Sequence, residues 1–161
     1  MPHPIPSGRH TITPHLIIKG ASEAIEFYKK AFGAEELFRM PGPDGRIMHA
    51  ELQIGDSRVM LSDEFPDMGV KGPQSLGGSP ISLMLYLADV DAAFKRATDA
   101  GCEVRMPLAN QFWGDRYGKV SDPFGHVWAL GTHIEDVPAE EMPKRAQAAM
   151  ADMGKNPGAK K

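Results

Sequence analysis

The sequence predicts an α+β domain made of two βαβββ modules in tandem, and three observations carry that prediction. Short runs alternate apolar and polar residues as strands do, while two segments switch to helical spacing. The order strand, helix, strand, strand, strand occurs twice along the chain. The punctuating glycines keep register between the copies: Gly33 and Gly101, each closing a helix, stand 68 positions apart, and Gly55 and Gly125, each in a hairpin, stand 70 apart. Self-similarity at fixed spacing marks a structural unit used more than once. The alternative is an unrelated α+β domain whose halves match by coincidence.

Thr11–Lys19 reads as the first strand, with Ile12, Leu16 and Ile18 on one face and Thr11, Thr13, His15, Ile17 and Lys19 on the other. Gly20-Ala21-Ser22 breaks it, and the Ser22 hydroxyl suits a helix N-cap. Ala24, Ile25, Tyr28, Ala31 and Phe32 follow at helical spacing, and Gly33 fits the C-cap. Glu35–Met40 is a strand ended by the turn cluster Pro41–Gly45. Arg46–Ile54 is the next, with Met48, Ala50, Leu52 and Ile54 on one face, and Gly55-Asp56 makes a tight hairpin to Ser57–Ser62. Glu64–Pro80 is polar and rich in Gly and Pro, and reads as a linker or a mobile pocket lip.

The order then repeats. Ile81–Leu87 is a strand; Asp89 or Asp91 caps a helix through Val90, Ala93, Phe94 and Ala97 to Gly101. Cys102–Met106 starts a strand, and Tyr117–Ser121 and His126–Thr132 form a hairpin around Asp122-Pro123-Phe124-Gly125. Beyond Ile134, Pro138–Glu141 suggests a first turn and Pro143 a helix start, because proline has no N–H to lose there. Met142, Ala146, Ala149, Met150 and Met153 form an apolar stripe, expected to dock on the domain or on a partner subunit. Gly154–Lys161 is expected to be disordered. The layout is therefore an N-terminal arm (1–10), a double module (11–137, comprising 11–64, a linker 65–79, and 80–137), and a C-terminal helix with its tail (138–161).

Composition narrows the function classes. A chain of 161 residues with 42% apolar and 24% charged residues is ordinary for a soluble domain. A net charge of −3, with both signs mixed, offers no field for nucleic acid or an anionic membrane. No apolar run reaches membrane-span length, and the proline-rich start lacks the apolar stretch of a signal peptide. The single cysteine, Cys102, permits no internal disulfide and no cysteine-based zinc site; it reads as a small buried apolar residue. These features point to the cytoplasm.

Several motifs carry a family resemblance. P-H-L-I-I-K-G-A-S-E-A-I-E-F-Y-K-K-A-F-G-A, H-A-E-L from His49, V-M-L-S-D-E from Val59 and F-W-G-D-R-Y-G-K-V-S-D-P-F-G-H-V-W-A-L from Phe112 resemble PhnB-like proteins. Those belong to the glyoxalase/bleomycin resistance/dioxygenase (vicinal oxygen chelate) superfamily. The match runs from about Ile12 to Val137. The resemblance implies that each module curls into a half-cup with its helix outside, the half-cups pairing into an open, cup-shaped β-barrel. It also implies a homodimer, with the cup formed either within one chain or across two.

Metal-dependent relatives hold a divalent ion with four side chains from the first and last strands of each module. Transferred residue by residue, those positions correspond to His15, to one of Met60, Leu61 or Ser62, to Ser82 or a neighbour, and to Ala129, where glyoxalase I has a glutamate. Only His15 is a standard ligand type. No cofactor is therefore predicted. A divalent ion on His15, His49 and Glu51 is kept as an alternative, since His49 and Glu51 lie two apart and share a strand face. The bland reading of that trio is a polar cavity wall hydrogen-bonded to water, substrate or Arg116.

The predicted ligand pocket comprises His15, His49, Glu51, Ser82, Tyr86, Trp113 and Arg116. Trp113 could stack on a flat ligand and Arg116 pair with an anion; equally, Trp113 could plug the barrel end while Asp115 pairs with Arg116. The expected function is binding of a small planar or anionic molecule. The alternatives are a metal-dependent lyase, isomerase or dioxygenase, and an interaction module acting through the C-terminal helix. No residue is assigned a catalytic role.

Overall fold

A computed structural model describes residues 3–155. Module one comprises β1 (His15–Ile18), α1 (Ala21–Phe32), β2 (Glu35–Pro41), β3 (Ile47–Ile54) and β4 (Ser57–Asp63). A connector with a 3-10 turn (Pro66–Met68) and a one-turn helix α2 (Pro73–Leu76) leads to module two. There β5 (Ser82–Tyr86), α3 (Val90–Ala100), β6 (Glu103–Asn110), β7 (Asp115–Ser121) and β8 (Val127–His133) repeat the order, and α4 (Met142–Lys155) follows. The two four-stranded sheets share one topology, β1-β4-β3-β2 and β5-β8-β7-β6. In each, the first strand lies parallel to the last, since the helix carries the chain back across the sheet. Among the described residues, no helix is long and apolar enough to cross a membrane.

Each helix covers one face of its own sheet, and α1 packs against α3. Leu16, Ile18, Leu52 and Leu61 of sheet one and Val120, Trp128 and Leu130 of sheet two are buried in one continuous core with Ile25, Tyr28 and Phe32 of α1. The Trp128 ring lies 4.5 Å from that of Phe32 and 5.3 Å from that of Tyr28. Because the apolar faces meet through the helices, α1 and α3 leave the opposite faces of both sheets free, and the N-terminal arm reaches that of sheet one at Glu51. The sheets are separate in their hydrogen bonding and do not close on one another. The expected α+β architecture, two βαβββ modules and a C-terminal helix, is present; α1 and α3 lie together between the modules, and the two sheets are not joined into one barrel.

One carboxylate ties the modules together. Buried Asp122 accepts from Tyr28 Oη at 2.7 Å, Trp128 Nε1 at 2.8 Å, and the backbone N–H groups of Phe124 at 2.9 Å and His126 at 3.0 Å. The His126 ring reaches Ile17 O at 3.0 Å in the other module.

Several local expectations are corrected. Ser22 does not cap α1; the N–H groups of Gly20 and Ala21 donate to Asp63 Oδ1 at 3.0 and 2.9 Å, and Ser22 Oγ accepts from Arg39. The parallel pairing of β1 and β4 brings Asp63 to the helix start from more than forty residues away. In module two, Asp89 is the cap, accepting from Ala92 N–H at 3.0 Å. The first strand begins only at His15, leaving Ile12 85% exposed. A register shift between Met40 and Pro41 puts Ile47 in the core and Met48 outside.

The connector is pinned rather than loose. The Glu64 carboxylate accepts from Gly72 N–H at 3.0 Å and Ser75 Oγ at 2.7 Å, and a Cβ on Gly72 would lie 2.9 Å from Ile17 O. The strand started by Cys102–Met106 runs on to Asn110. Only the first part of the α4 stripe is half-buried, at Met142, Ala146 and Ala149; Met150 and Met153 are 68% and 67% exposed. Gly154 and Lys155 are helical, and the rest of the tail expected to be disordered lies outside the described residues.

Candidate functional site

Strand register places Phe38, Met40, His49, Glu51, Met60 and His15 on the uncovered face of sheet one. The three predicted polar residues there come together. His49 Nε2 is 3.4 Å from Glu51 Oε1, and the His15 and His49 rings meet edge to face at 5.8 Å. Two arginines join them. Arg9, from the N-terminal arm, donates to Glu51, and Arg58 Nη1 lies 3.5 Å from Glu51 Oε2. Burial, then the neighbouring His49, lowers the pKa of His15. Burial pushes Glu51 upward, but bonds from His49 and Arg9 outweigh it and hold the carboxyl below its ordinary value. Sequence reading missed both arginines. Arg58 shares a face with Met60, a parity signal that was available; Arg9 sits in an arm with no periodicity.

The uncovered face of sheet two carries Ser82, Met84 and Tyr86, aligned with Ala129, Gly131, Tyr117 and Lys119. Its polar centre is Asp115, which is 3% exposed. Oδ2 accepts from Tyr86 Oη and Trp113 Nε1, both at 3.0 Å, and Oδ1 lies 2.8 Å from His133 Nδ1. His133 Nε2 is 2.9 Å from Asp136 Oδ1. Burial works to raise Asp115, but His133, Tyr86 and Trp113 together lower it. Trp113 also stacks edge-on to Tyr117 at 5.4 Å, so its indole is held by the protein. His133 had no context in the sequence, because its partner lies on another strand.

Arg116 stands apart from the other predicted pocket residues. It follows Asp115 on β7, so its side chain takes the opposite face, as neighbours on a strand must. There it grips Asp91 with two donors, both at 2.6 Å, and Asn110 at 3.2 Å. The suggested Asp115–Arg116 pair does not form, for the same reason.

A cavity of about 590 Å³ opens at the seam between the modules. One wall is the arm (His10, Ile12–Pro14) with the β3–β4 hairpin and Arg58; the other is the edge strand β5 with Leu87 and Trp128. Of the predicted pocket residues, Tyr86 lines it.

The metal implied by the resemblance can be tested against these side chains. His15 sits beside Met60, while Ser82 pairs with Val127 and Met84 with Ala129. One imidazole and no carboxylate stand at those positions, which does not fit a four-ligand site. The alternative trio offers two imidazoles and a carboxylate, but Glu51 is engaged by Arg9 and Arg58. Among the described residues, no three His, Cys, Asp or Glu side chains are grouped to hold an ion.

Comparison with known proteins agrees with the fold. An uncharacterised protein of Mycobacterium bovis is 50% identical over 146 residues, covering 89% of this chain and 93% of its own length. The crystal structure of TioX from a Micromonospora species matches with a TM-score of 0.62 at 29% identity, over 78% of this chain and 99% of TioX. A PhnB protein from Bacillus cereus shares the fold with a TM-score of 0.55 at 21% identity, over 76% of this chain and 99% of its own. A family profile matches residues 9–130, and the chain belongs to the Glyoxalase/Bleomycin resistance protein/Dioxygenase superfamily.

Proposed function

We propose that this protein binds a small planar or anionic molecule at the seam cavity and the cup beside it, in the cytoplasm, without the four-ligand metal site of its metal-dependent relatives. The observation that carries the reading is the cavity itself. Its 590 Å³ falls within the range of small-molecule sites, and its walls combine apolar Leu83, Leu85 and Trp128 with the cationic Arg58. A homodimer completes the cup. Packing α1 against α3 leaves a polar half-cup on sheet one, crossed by the N-terminal arm at Glu51, and an aromatic half-cup on sheet two, and a second copy supplies the missing half of both.

The test is a panel of planar carboxylates, phosphorylated compounds and neutral aromatics, titrated calorimetrically into EDTA-treated protein. Saturable binding without added metal is expected. Tight binding that appears only after a divalent ion is restored overturns the reading. Light scattering should return twice the chain mass of 17.5 kDa, and a monomer that still binds ligand at full affinity would refute the shared cup.

A further inference from the structure

The cluster around Glu51 is short of one negative charge. Two guanidinium groups, those of Arg9 and Arg58, converge on this single carboxylate, and the imidazoles of His15 and His49 complete the ring. The Nε atoms of both arginines are closed off from solvent and donate to no acceptor. Among the described, non-exposed residues they are the only buried side-chain nitrogens or oxygens without a partner. A buried donor without an acceptor is costly, and these two belong to guanidinium groups that share a single carboxylate. The backbone is shaped to allow this approach. Gly8 has φ +74°, and a Cβ there would stand 2.8 Å from Arg58 Nη2, so the arm lies flat on the Arg58 guanidinium.

We infer that Arg9 and Arg58 form an oxyanion site for the carboxylate or phosphoryl group of the ligand, closed by the N-terminal arm. This rests on the small-molecule reading above and names the group by which the ligand is held. A planar fork donates two parallel N–H bonds along its edge to a two-oxygen anion, which a lysine cannot do. Arg58 also lines the seam cavity, so an anion held by the two forks would leave the body of its ligand against Leu83–Leu87. Because Arg9 arrives on the arm, entry requires the arm to lift, and binding seats it again over the anion. Glu51 is the internal competitor that an anion would have to displace from both forks.

The test uses the full chain with inorganic phosphate and acetate as probes, against sodium chloride of equal ionic strength. Phosphate or acetate should raise the thermal midpoint by about 5 °C at roughly a hundredfold excess over Kd. The probe with the larger effect identifies a phosphoryl or a carboxylate ligand. Arg58→Gln and Arg9→Gln should each weaken binding about tenfold or more. Glu51→Gln, which removes the competitor, should tighten it severalfold, a gain that a folding defect cannot imitate. Shifts no larger than those with chloride overturn the proposal, as does phosphate and acetate affinity unchanged in both arginine variants. If neutral aromatics bind the wild type and Arg58→Gln equally while phosphate and acetate do not bind, the oxyanion site fails and the cup reading stands. If an anion binds but no larger compound does, the reverse holds.

Discussion

Replacing Tyr28 by Phe removes one hydroxyl from the contact that joins the two modules. Its Oη donates to Asp122 Oδ2 at 2.7 Å in the buried core. A hydrogen bond to a charged acceptor contributes about 1.5–3 kcal/mol. Asp122 keeps three other donors, from Trp128, Phe124 and His126, so the carboxylate is not stranded and the loss should sit near 2 kcal/mol. With a urea slope of about 2 kcal/mol/M, the unfolding midpoint falls by roughly 1 M. Asp122→Ala is worse, because it leaves the Tyr28 hydroxyl and the Trp128 N–H buried without an acceptor; about 3–5 kcal/mol is expected.

The assay is urea unfolding followed by circular dichroism and by Trp128 fluorescence in a Trp113→Phe background. A double-mutant cycle of Tyr28→Phe with Asp122→Asn should show coupling of about 1 kcal/mol or more. Strict additivity, or a Tyr28→Phe midpoint within ~0.2 M of wild type, would refute the claim that this bond locks the modules.

Three further outcomes are expected. Burial, with a smaller contribution from Asp122, pushes the Cys102 thiol up to about 12, so it should resist a thiol reagent at pH 8 in the native protein and react fully in urea. In an NMR titration His15 should titrate below its ordinary 6.5 and His133, raised by Asp136 and Asp115, above it. The signs of linkage differ: the His15 contribution is full above pH 6.5 and is lost as pH falls through its folded value, whereas that of His133 is present below 6.5 and is lost as pH rises through its own. Gly114→Ala should cost about 2–4 kcal/mol, read as a lowered thermal midpoint, because φ is +96° and the added Cβ would collide with Glu135 O.

The sequence by itself determined what is local or periodic. Alternation and helical spacing located every strand and the three longer helices, and Gly33 and Gly55, both at positive φ, marked a helix end and a hairpin because few other residues tolerate that backbone. The duplicated order was legible because both modules use the same punctuation. Parity alone put His15, His49 and Glu51 on one face, and it could equally have turned Arg116 away from Asp115. Tertiary structure decided the rest. Asp63 caps a helix and Asp122 joins two modules because parallel pairing and helix-to-helix packing bring together residues separated by 42 and 94 positions. Arg9 reaches Glu51 only because the arm folds back over sheet one. The outward turn of both cups follows from α1 choosing α3 as its neighbour, and a helix stripe states that a face must be buried without stating against what.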